Sequence, residues 1–277
     1  MDIYFERKEE VLLFCKILLE NGCKDKIGIQ QKRSHRIALE IEPSSYPKKN
    51  IARVLARVFI QERERQWIRE IIQDCYYFED KEEVAHIEEV CHSILKGQYE
   101  KNFFNHSSHE EYITSLFLER WQEERSFLFE SFLRFRLQDY KKELIELVGV
   151  SIEDYKREQE YQTFIHSLRH FIGTQDSKLN YVNFHIKEPE LIYEKNGKLV
   201  DTMKLEEWVR NLPLYLFNVN EGDHLLASLL AMNPEKIEIF SDDPSEPKLL
   251  TVINIFQERV SILPASSFPF LKKNIKS

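Results

Sequence analysis

From Lys48 to Glu188 the chain contains no proline, and its only glycines there are Gly97, Gly149 and Gly173. Proline inside a helix costs about 3 kcal/mol and glycine about 1 kcal/mol, so so long a stretch without them is what a largely helical middle requires. The whole chain has only 7 Gly and 9 Pro among 277 residues, with 19 Phe, 12 Tyr and a hydrophobic fraction of 42%. Collagenous, propeller-like and disordered classes are excluded, and a globular chain remains. At roughly 150 residues per domain, the length gives about two domains and enough chain to bury a core without staples.

On either side of the middle the texture changes. Asp2 to Phe5 alternates apolar and polar residues, and Glu9 to Glu20 places Val11, Leu12, Cys15, Leu18 and Leu19 at helical spacing. Two β-like runs follow, Lys26 to Gln31 and His35 to Glu42, so the N-terminus reads β-α-β-β. After Gly173, Leu179 to Lys187 alternates, and Leu191 to Val200 folds around Asn196-Gly197, a dipeptide suited to a type I′ turn. Helix-like stretches near Met203 to Leu212 and Asp223 to Met232 precede a strand at Lys236 to Ser241, a helix at Glu246 to Glu258 and a strand at Val260 to Leu263. That closing strand-helix-strand unit implies a parallel pair with a right-handed crossover.

The fold class expected is therefore α+β, a long and predominantly helical centre between a β-α-β-β segment and a mixed α/β unit. The boundaries read as 1–43, 44–173 and 174–263, with a tail at 264–277 that is frayed or docked on a partner or on the body. Within the centre, Ser44-Ser45-Tyr46-Pro47 looks like a helix start, with a serine cap and proline in the first turn. The helix it opens should run to about Cys75 and bury Val54, Leu55, Val58, Ile68 and Ile71. A second helix is expected at Glu82 to Leu95. A third helical region from Glu110 to Phe171 is expected to break near Gly149-Val150-Ser151, where Ser151 and Asp154 form a capping-box variant. Periodicity leaves open whether the two β regions share one sheet.

The N-terminal residues Met1 to Glu6 lack the basic start of a signal peptide, and the longest apolar run, Leu225 to Met232, is far short of the roughly twenty residues of a membrane span. Four cysteines without C-x-x-C spacing read as reduced thiols, so a soluble, cytoplasmic protein is expected. Asp+Glu 47 against Lys+Arg 39 leaves a net charge of -8, which excludes a wholesale nucleic-acid coat. Locally, however, Lys49, Arg53 and Arg57 recur every fourth residue and line cations along one helix face. That stripe is either a solvated face answered by Glu62 and Glu64 or a phosphate-backbone contact, with Lys272, Lys273 and Lys276 of the tail as helpers.

Other constellations carry little chemistry. Glu83-Val84-Ala85-His86 has the E-x-x-H spacing of carboxylate-bridged metal sites, but the copy Glu221 to His224 lies outside the helical centre. His166 and His170 have zinc-pair spacing without the glutamate base of a zincin. Cys91 and His92 are neighbours, which on a helix diverge by about 100° and cannot act as nucleophile and base. No G-x-G-x-x-G, P-loop or G-x-S-x-G occurs, and no cofactor is implied. Trp67, Phe127, Phe129, Phe132 and Phe135 read as core aromatics rather than base-stacking ones.

Ordered blocks of the chain do carry a resemblance. Phe132-Leu133-Arg134-Phe135-Arg136-Leu137-Gln138-Asp139-Tyr140, then Asp154-Tyr155, Glu160-Tyr161-Gln162-Thr163-Phe164-Ile165 and Leu168-Arg169, resemble the YtxC family of sporulation proteins from endospore-forming bacteria. Leu225 to Leu230, Pro234 to Ile237 and Val252 to Val260 look like the same family's closing α/β unit. The likeness spans most of the chain and is weaker up to Pro43. It implies a cytoplasmic, sporulation-associated protein and brings no catalytic residue or cofactor with it.

One site hypothesis follows from the residues themselves. Arg134, Arg136 and Arg169 sit among aromatic and apolar neighbours, and a guanidinium is costly to bury unless a carboxylate or phosphate pairs it. They are expected either to form internal salt bridges with Asp139, Glu158 or Glu160, or to converge on an anionic ligand or a partner's acidic segment, with Tyr140 or Tyr161 supplying a hydroxyl. The leading function is a non-enzymatic factor acting through an unidentified protein partner. A nucleic-acid-binding regulator using Lys49, Arg53 and Arg57 is the alternative, and a metal- or anion-dependent enzyme is a further one.

Overall fold

The alternation of Asp2 to Phe5 buries Ile3 and Phe5 on one side of a strand, β1 (Asp2–Phe5). The computed structural model that shows this describes residues 2–21, 28–31, 37–40, 47–97, 108–121, 126–186, 191–217, 219 and 223–270. Two units divide the chain, Met1–Arg157 and Glu158–Ser277.

In the first unit, β1 leads into α1 (Lys8–Glu20), whose Glu10, Val11, Phe14, Ile17 and Leu18 face inward, and then into β2 (Gly28–Gln31) and β3 (Ile37–Glu40). Next comes a helix that opens as α2 (Lys48–Val58), widens to a π-helical stretch (Phe59–Glu64), returns as α3 (Arg65–Glu70) and widens again (Ile71–Cys75). It buries Val54, Leu55, Val58, Ile68 and Ile71, as the spacing predicts. Pro47 stands at the N-cap and gives no side-chain bond, and the three residues before it lie outside the described residues. The helix α4 (Lys81–Leu95) starts where Asp80 Oδ1 accepts the N–H groups of Glu82 and Glu83 at 2.9 and 3.0 Å.

After α5 (His109–Arg120), the helical centre yields a strand the sequence reading missed, β4 (Ser126–Leu128). It lies parallel to β1, pairing Asp2 with Ser126 and Tyr4 with Leu128, and completes a sheet of order β2-β3-β1-β4. Three residues are too few to show a period of two, and the partner lies more than a hundred residues back in the chain. The helix α6 (Phe129–Arg136) follows, then α7 (Gln138–Thr174), 37 residues long. The expected break at Gly149-Val150-Ser151 does not occur: the helix runs through, and Ser151 Oγ donates to Leu147 O at 2.8 Å instead of capping.

In the second unit, the end of α7 precedes β5 (Tyr181–His185), β6 (Leu191–Glu194), α8 (Thr202–Arg210), α9 (His224–Met232), β7 (Lys236–Phe240), α10 (Pro247–Phe256) and β8 (Val260–Leu263). The sheet has the order β6-β5-β7-β8 and is separate from the first, which answers the question left open by periodicity. The pair β7 and β8 is parallel, as the strand-helix-strand pattern implies. Val182, Phe184, Ile192, Ile237 and Ile239 of its strands join Ile165, Leu168 and Ile172 of α7 and the apolar faces of α9 and α10 in one core. The loop after β6 is not type I′: only Gly197 has positive φ, at +80°, with its N–H bonded to Glu194 O, so the Asn-Gly pair forms a three-residue loop closed by a left-handed glycine.

Candidate functional site

Charges buried inside the first unit stand out, because an unpaired one would cost several kcal/mol. Arg63 and Glu64, in the last turn of the first π-helical stretch, are 6% and 1% exposed. Arg63 donates Nε to Glu10 Oε1 of α1 and Nη2 to Glu130 Oε2 in the first turn of α6. One guanidinium thus joins three helical elements, using the fork geometry that makes arginine the cation suited to the interior. Burial pushes the Glu10 carboxyl above its ordinary range, and the bond and charge of Arg63 only partly offset that. Glu64 turns the other way: its Oε1 accepts from the Tyr140 hydroxyl and lies 2.8 Å from His109 Nε2. Burial, then the negative charge of Glu64, holds Tyr140 well above the ordinary phenol range, so it serves as a donor. The Tyr140 ring packs edge-on to Phe59 at 5.8 Å and Tyr112 at 6.0 Å, and the Tyr112 hydroxyl donates to Glu143. Helix walls and rings enclose these groups, and the bonds named here tie helices together rather than present a reacting atom.

This network was not foreseen. Its signal in the sequence is charge at stripe positions: Leu55, Phe59 and Arg63 follow one another at i, i+4 and i+8, as do Ala56, Ile60 and Glu64. Charged residues that continue an apolar stripe must be paired inside.

The residues singled out from the sequence fall in both units. Tyr140 is the buried donor just described. Arg134 and Arg136 are exposed on α6, and Arg169 is exposed on α7, so the premise that the three arginines are buried is corrected. Arg134 and Arg136 belong to the first unit, Arg169 and Tyr161 to the second. Arg169 Nε donates to Asn254 O at 2.7 Å, and Tyr161 accepts from Asn254 Nδ2 at 2.9 Å, so both hold α10 to α7. In α6, Phe129, Phe132 and Leu133 form the buried stripe, and Phe135, placed in the core by the sequence reading, falls off it and is 68% exposed. The Arg134 guanidinium covers the Phe135 ring at 5.5 Å.

The cationic stripe of α2 is answered by a different carboxylate from those expected. Arg53 and Arg57 reach Glu110 of α5 at 3.7 and 3.0 Å, and Lys49 stands exposed beside them. Lys272, Lys273 and Lys276 lie outside the described residues. His86 stacks on Tyr155 at 6.3 Å while the Tyr155 hydroxyl reaches Glu83 at 3.5 Å, which turns the E-x-x-H face toward a ring. Burial raises the Cys91 thiol to about 12, far from a nucleophile, and His92 is engaged by Arg65 at 3.1 Å. Among the described residues no group of three or more His, Cys, Asp or Glu could hold a metal ion, and no helix is long and apolar enough to cross a membrane.

Set against known proteins, residues 49–261 match the sequence pattern of the YtxC-like family. The chain belongs to the YtxC-like family. The match begins beyond Pro43, where the resemblance weakened, and covers the long helices of the first unit and the sheet of the second as far as Ser261 in β8. The chain is also similar to the uncharacterized protein YtxC of Bacillus subtilis (strain 168), with 27% identity over 97% of this chain and 95% of the relative. No solved structure matches it.

Proposed function

We propose that this member of the YtxC-like family acts in sporulation, inside the cell, through contacts with a protein partner. The exposed end of α6 carries the reading: Phe135, 68% exposed, lies under the Arg134 guanidinium, and Arg136 is exposed next to it. Arginine beside an aromatic ring is the composition that protein interfaces concentrate at their energetic centres, and an isolated large apolar ring in water is what a partner would cover. The Arg134 guanidinium over the ring suits an acidic segment on that partner. The association with sporulation rests on the family resemblance. The nucleic-acid reading has less support, since Glu110 already answers Arg53 and Arg57.

The test is made in a spore-forming host. Deleting the gene lowers the yield of heat-resistant spores, and a copy carrying Phe135→Ala with Arg136→Glu accumulates folded but does not restore it. Unchanged spore yield on deletion removes the sporulation reading. Full restoration by the double variant removes the α6 surface.

A further inference from the structure

The cations of α2 are the beginning of a longer line. Lys49, Arg53, Arg57, Gln61, Arg65 and Arg69 recur every fourth residue from α2 to α3, each exposed or half-exposed. A step of four overshoots a regular helical turn by about 40°, so five steps would carry such a stripe about 200° round the helix and into the core. The π-helical stretch Phe59–Glu64 lies in its middle. A π turn takes more residues than an α turn, so a step of four there falls short and swings the stripe back. The four arginine side chains are accordingly 36% to 59% exposed, while Val54, Leu55, Val58, Phe59 and Ile68 between them are buried.

The arginines are held in two matching pairs. Glu110 of α5 lies 3.7 Å from Arg53 Nε and 3.0 Å from Arg57 Nε, and Glu88 of α4 lies 3.6 Å from Arg65 Nε and 2.5 Å from Arg69 Nε. Arg69 adds Nη2 to Glu88 at 3.3 Å, and Arg65 Nε donates to His92 Nε2 at 3.1 Å. Each carboxylate is thus shared by two guanidiniums approached at the Nε edge, and among the described residues the Nη groups of Arg53, Arg57 and Arg65 donate no hydrogen bond. Over α2 alone Glu110 offsets much of the charge, but over the whole stripe five cations meet two carboxylates. Glu62 and Glu70 stand one position on, about 100° round the helix, and Glu70 is taken up by Gln66 Nε2 at 2.6 Å.

We propose that this stripe binds the phosphate backbone of a nucleic acid without reading its bases. From Lys49 to Arg69 it carries none of the exposed large apolar side chains of the first unit. Protein interfaces are centred on such residues, whereas nucleic-acid interfaces are polar and strongly positive. The stripe runs about 30 Å, too long for one small anion. Guanidiniums fixed at Nε keep their Nη forks for phosphate oxygens, and Gln61 between the pairs adds a neutral donor. Glu110 and Glu88 reach the stripe from α5 and α4, so it is not the free-standing helix that reads bases in a groove. None of these residues belongs to the α6 surface, so the failure of one proposal leaves the other standing.

The test follows a labelled duplex DNA of mixed sequence by fluorescence anisotropy with the full chain as salt is raised, beside a single strand of equal length. Five phosphate contacts give a log–log slope of about −4.5 on the duplex, an affinity falling about 500-fold between about 50 and 200 mM salt. Arg53→Gln with Arg57→Gln flattens the slope to about −2.7. Arg65→Gln, which leaves Arg69 on buried Glu88, flattens it to about −3.6. Lys204→Gln with Arg210→Gln, at exposed positions of α8, removes the same charge from the second unit and leaves the slope as it was. The proposal is overturned if the chain binds neither nucleic acid, if the folded stripe variants keep the native slope, or if the α8 control flattens it as much. A glutamate homopolymer that binds the native chain more tightly than either nucleic acid, and loses that affinity in the stripe variants, would make an acidic protein segment the occupant and would also overturn the proposal.

Discussion

The hydroxyl of Tyr76 occupies the space that a Cβ on Gly149 would need, 2.7 Å from its ideal position, and from there donates to Ile145 O at 2.9 Å. A glycine in the middle of a 37-residue helix is thereby explained as room for a ring, and the bond ties the end of the second π-helical stretch to α7.

Gly149→Ala sets a gain of about 1 kcal/mol in helix propensity against displacement of the Tyr76 hydroxyl and loss of its bond. The expected result is a chain no more stable than the original. In a Tyr76→Phe background the clash is smaller and the bond already gone, so the same substitution then stabilises by close to 1 kcal/mol. Urea unfolding of the four chains followed by circular dichroism measures this non-additivity, and equal effects in both backgrounds would count against the packing described.

Glu64 and Tyr140 give a second cycle. Tyr140→Phe removes a donor from a buried carboxylate and is expected to cost about 1–3 kcal/mol. Glu64→Gln weakens the same bond while leaving His109 a neighbour, so the loss in the double variant should fall short of the sum of the two single losses by at least about 0.5 kcal/mol. Strict additivity would mean that the hydroxyl and the carboxylate do not depend on one another.

What the sequence could and could not reveal follows from the range over which each pattern acts. The absence of proline between 48 and 188 and the apolar spacing of Val54, Leu55 and Val58 are local, and the long helix to Cys75 was legible from them. Strand β4 was not, because three residues carry no period and their meaning lies in pairing with Asp2 to Tyr4. Gly149 looked like a stop because glycine is costly in a helix, and the ring that repays it comes from Tyr76, seventy-three positions back. The helix break and the exposure of Phe135 and of the three arginines were misread for the same reason: a residue's neighbours along the chain are not those across the core. Arg63 and Glu64 were overlooked because charge was read as a sign of surface, whereas on an apolar stripe it signals an internal pair.

Glu10 should make stability depend on pH. Its folded value lies above the ordinary 4.5, so between the two the folded chain holds a proton that the unfolded chain has released. The unfolding free energy therefore falls as pH rises from about 4.5 through the raised value. Glu10→Gln cannot titrate and lacks this contribution, so the advantage of the native chain over the variant shrinks with rising pH. Glu10→Ala withdraws a partner from buried Arg63 and is expected to cost about 3 kcal/mol at neutral pH. Chemical denaturation of the three chains from pH 4.5 upward separates these effects, and parallel curves for the native and Gln chains would show that Glu10 does not titrate in this window.

Asn233 carries the corresponding burden in the second unit. It ends α9 in the left-handed conformation, with φ at +43°, and is 3% exposed. Its Nδ2 donates to Ile172 O at 2.9 Å and Gln175 O at 2.7 Å, carbonyls at and just past the end of α7, and its Oδ1 accepts from Arg259 Nη1 at 3.0 Å. One side chain therefore joins the ends of α7 and α9 to the turn before β8. Asn233→Gly keeps the backbone at ease but loses all three bonds, for an expected loss of about 2–3 kcal/mol. Asn233→Ala loses the same bonds and adds about 1 kcal/mol for a Cβ held at positive φ. Asn233→Asp keeps the acceptor for Arg259 but turns an oxygen toward two carbonyls, and should be at least as damaging as alanine. Hydrogen exchange of the α9 and β7 amides reads this order directly, with glycine least exposed to exchange of the three. Alanine proving milder than glycine would show that the left-handed turn is not what the position demands.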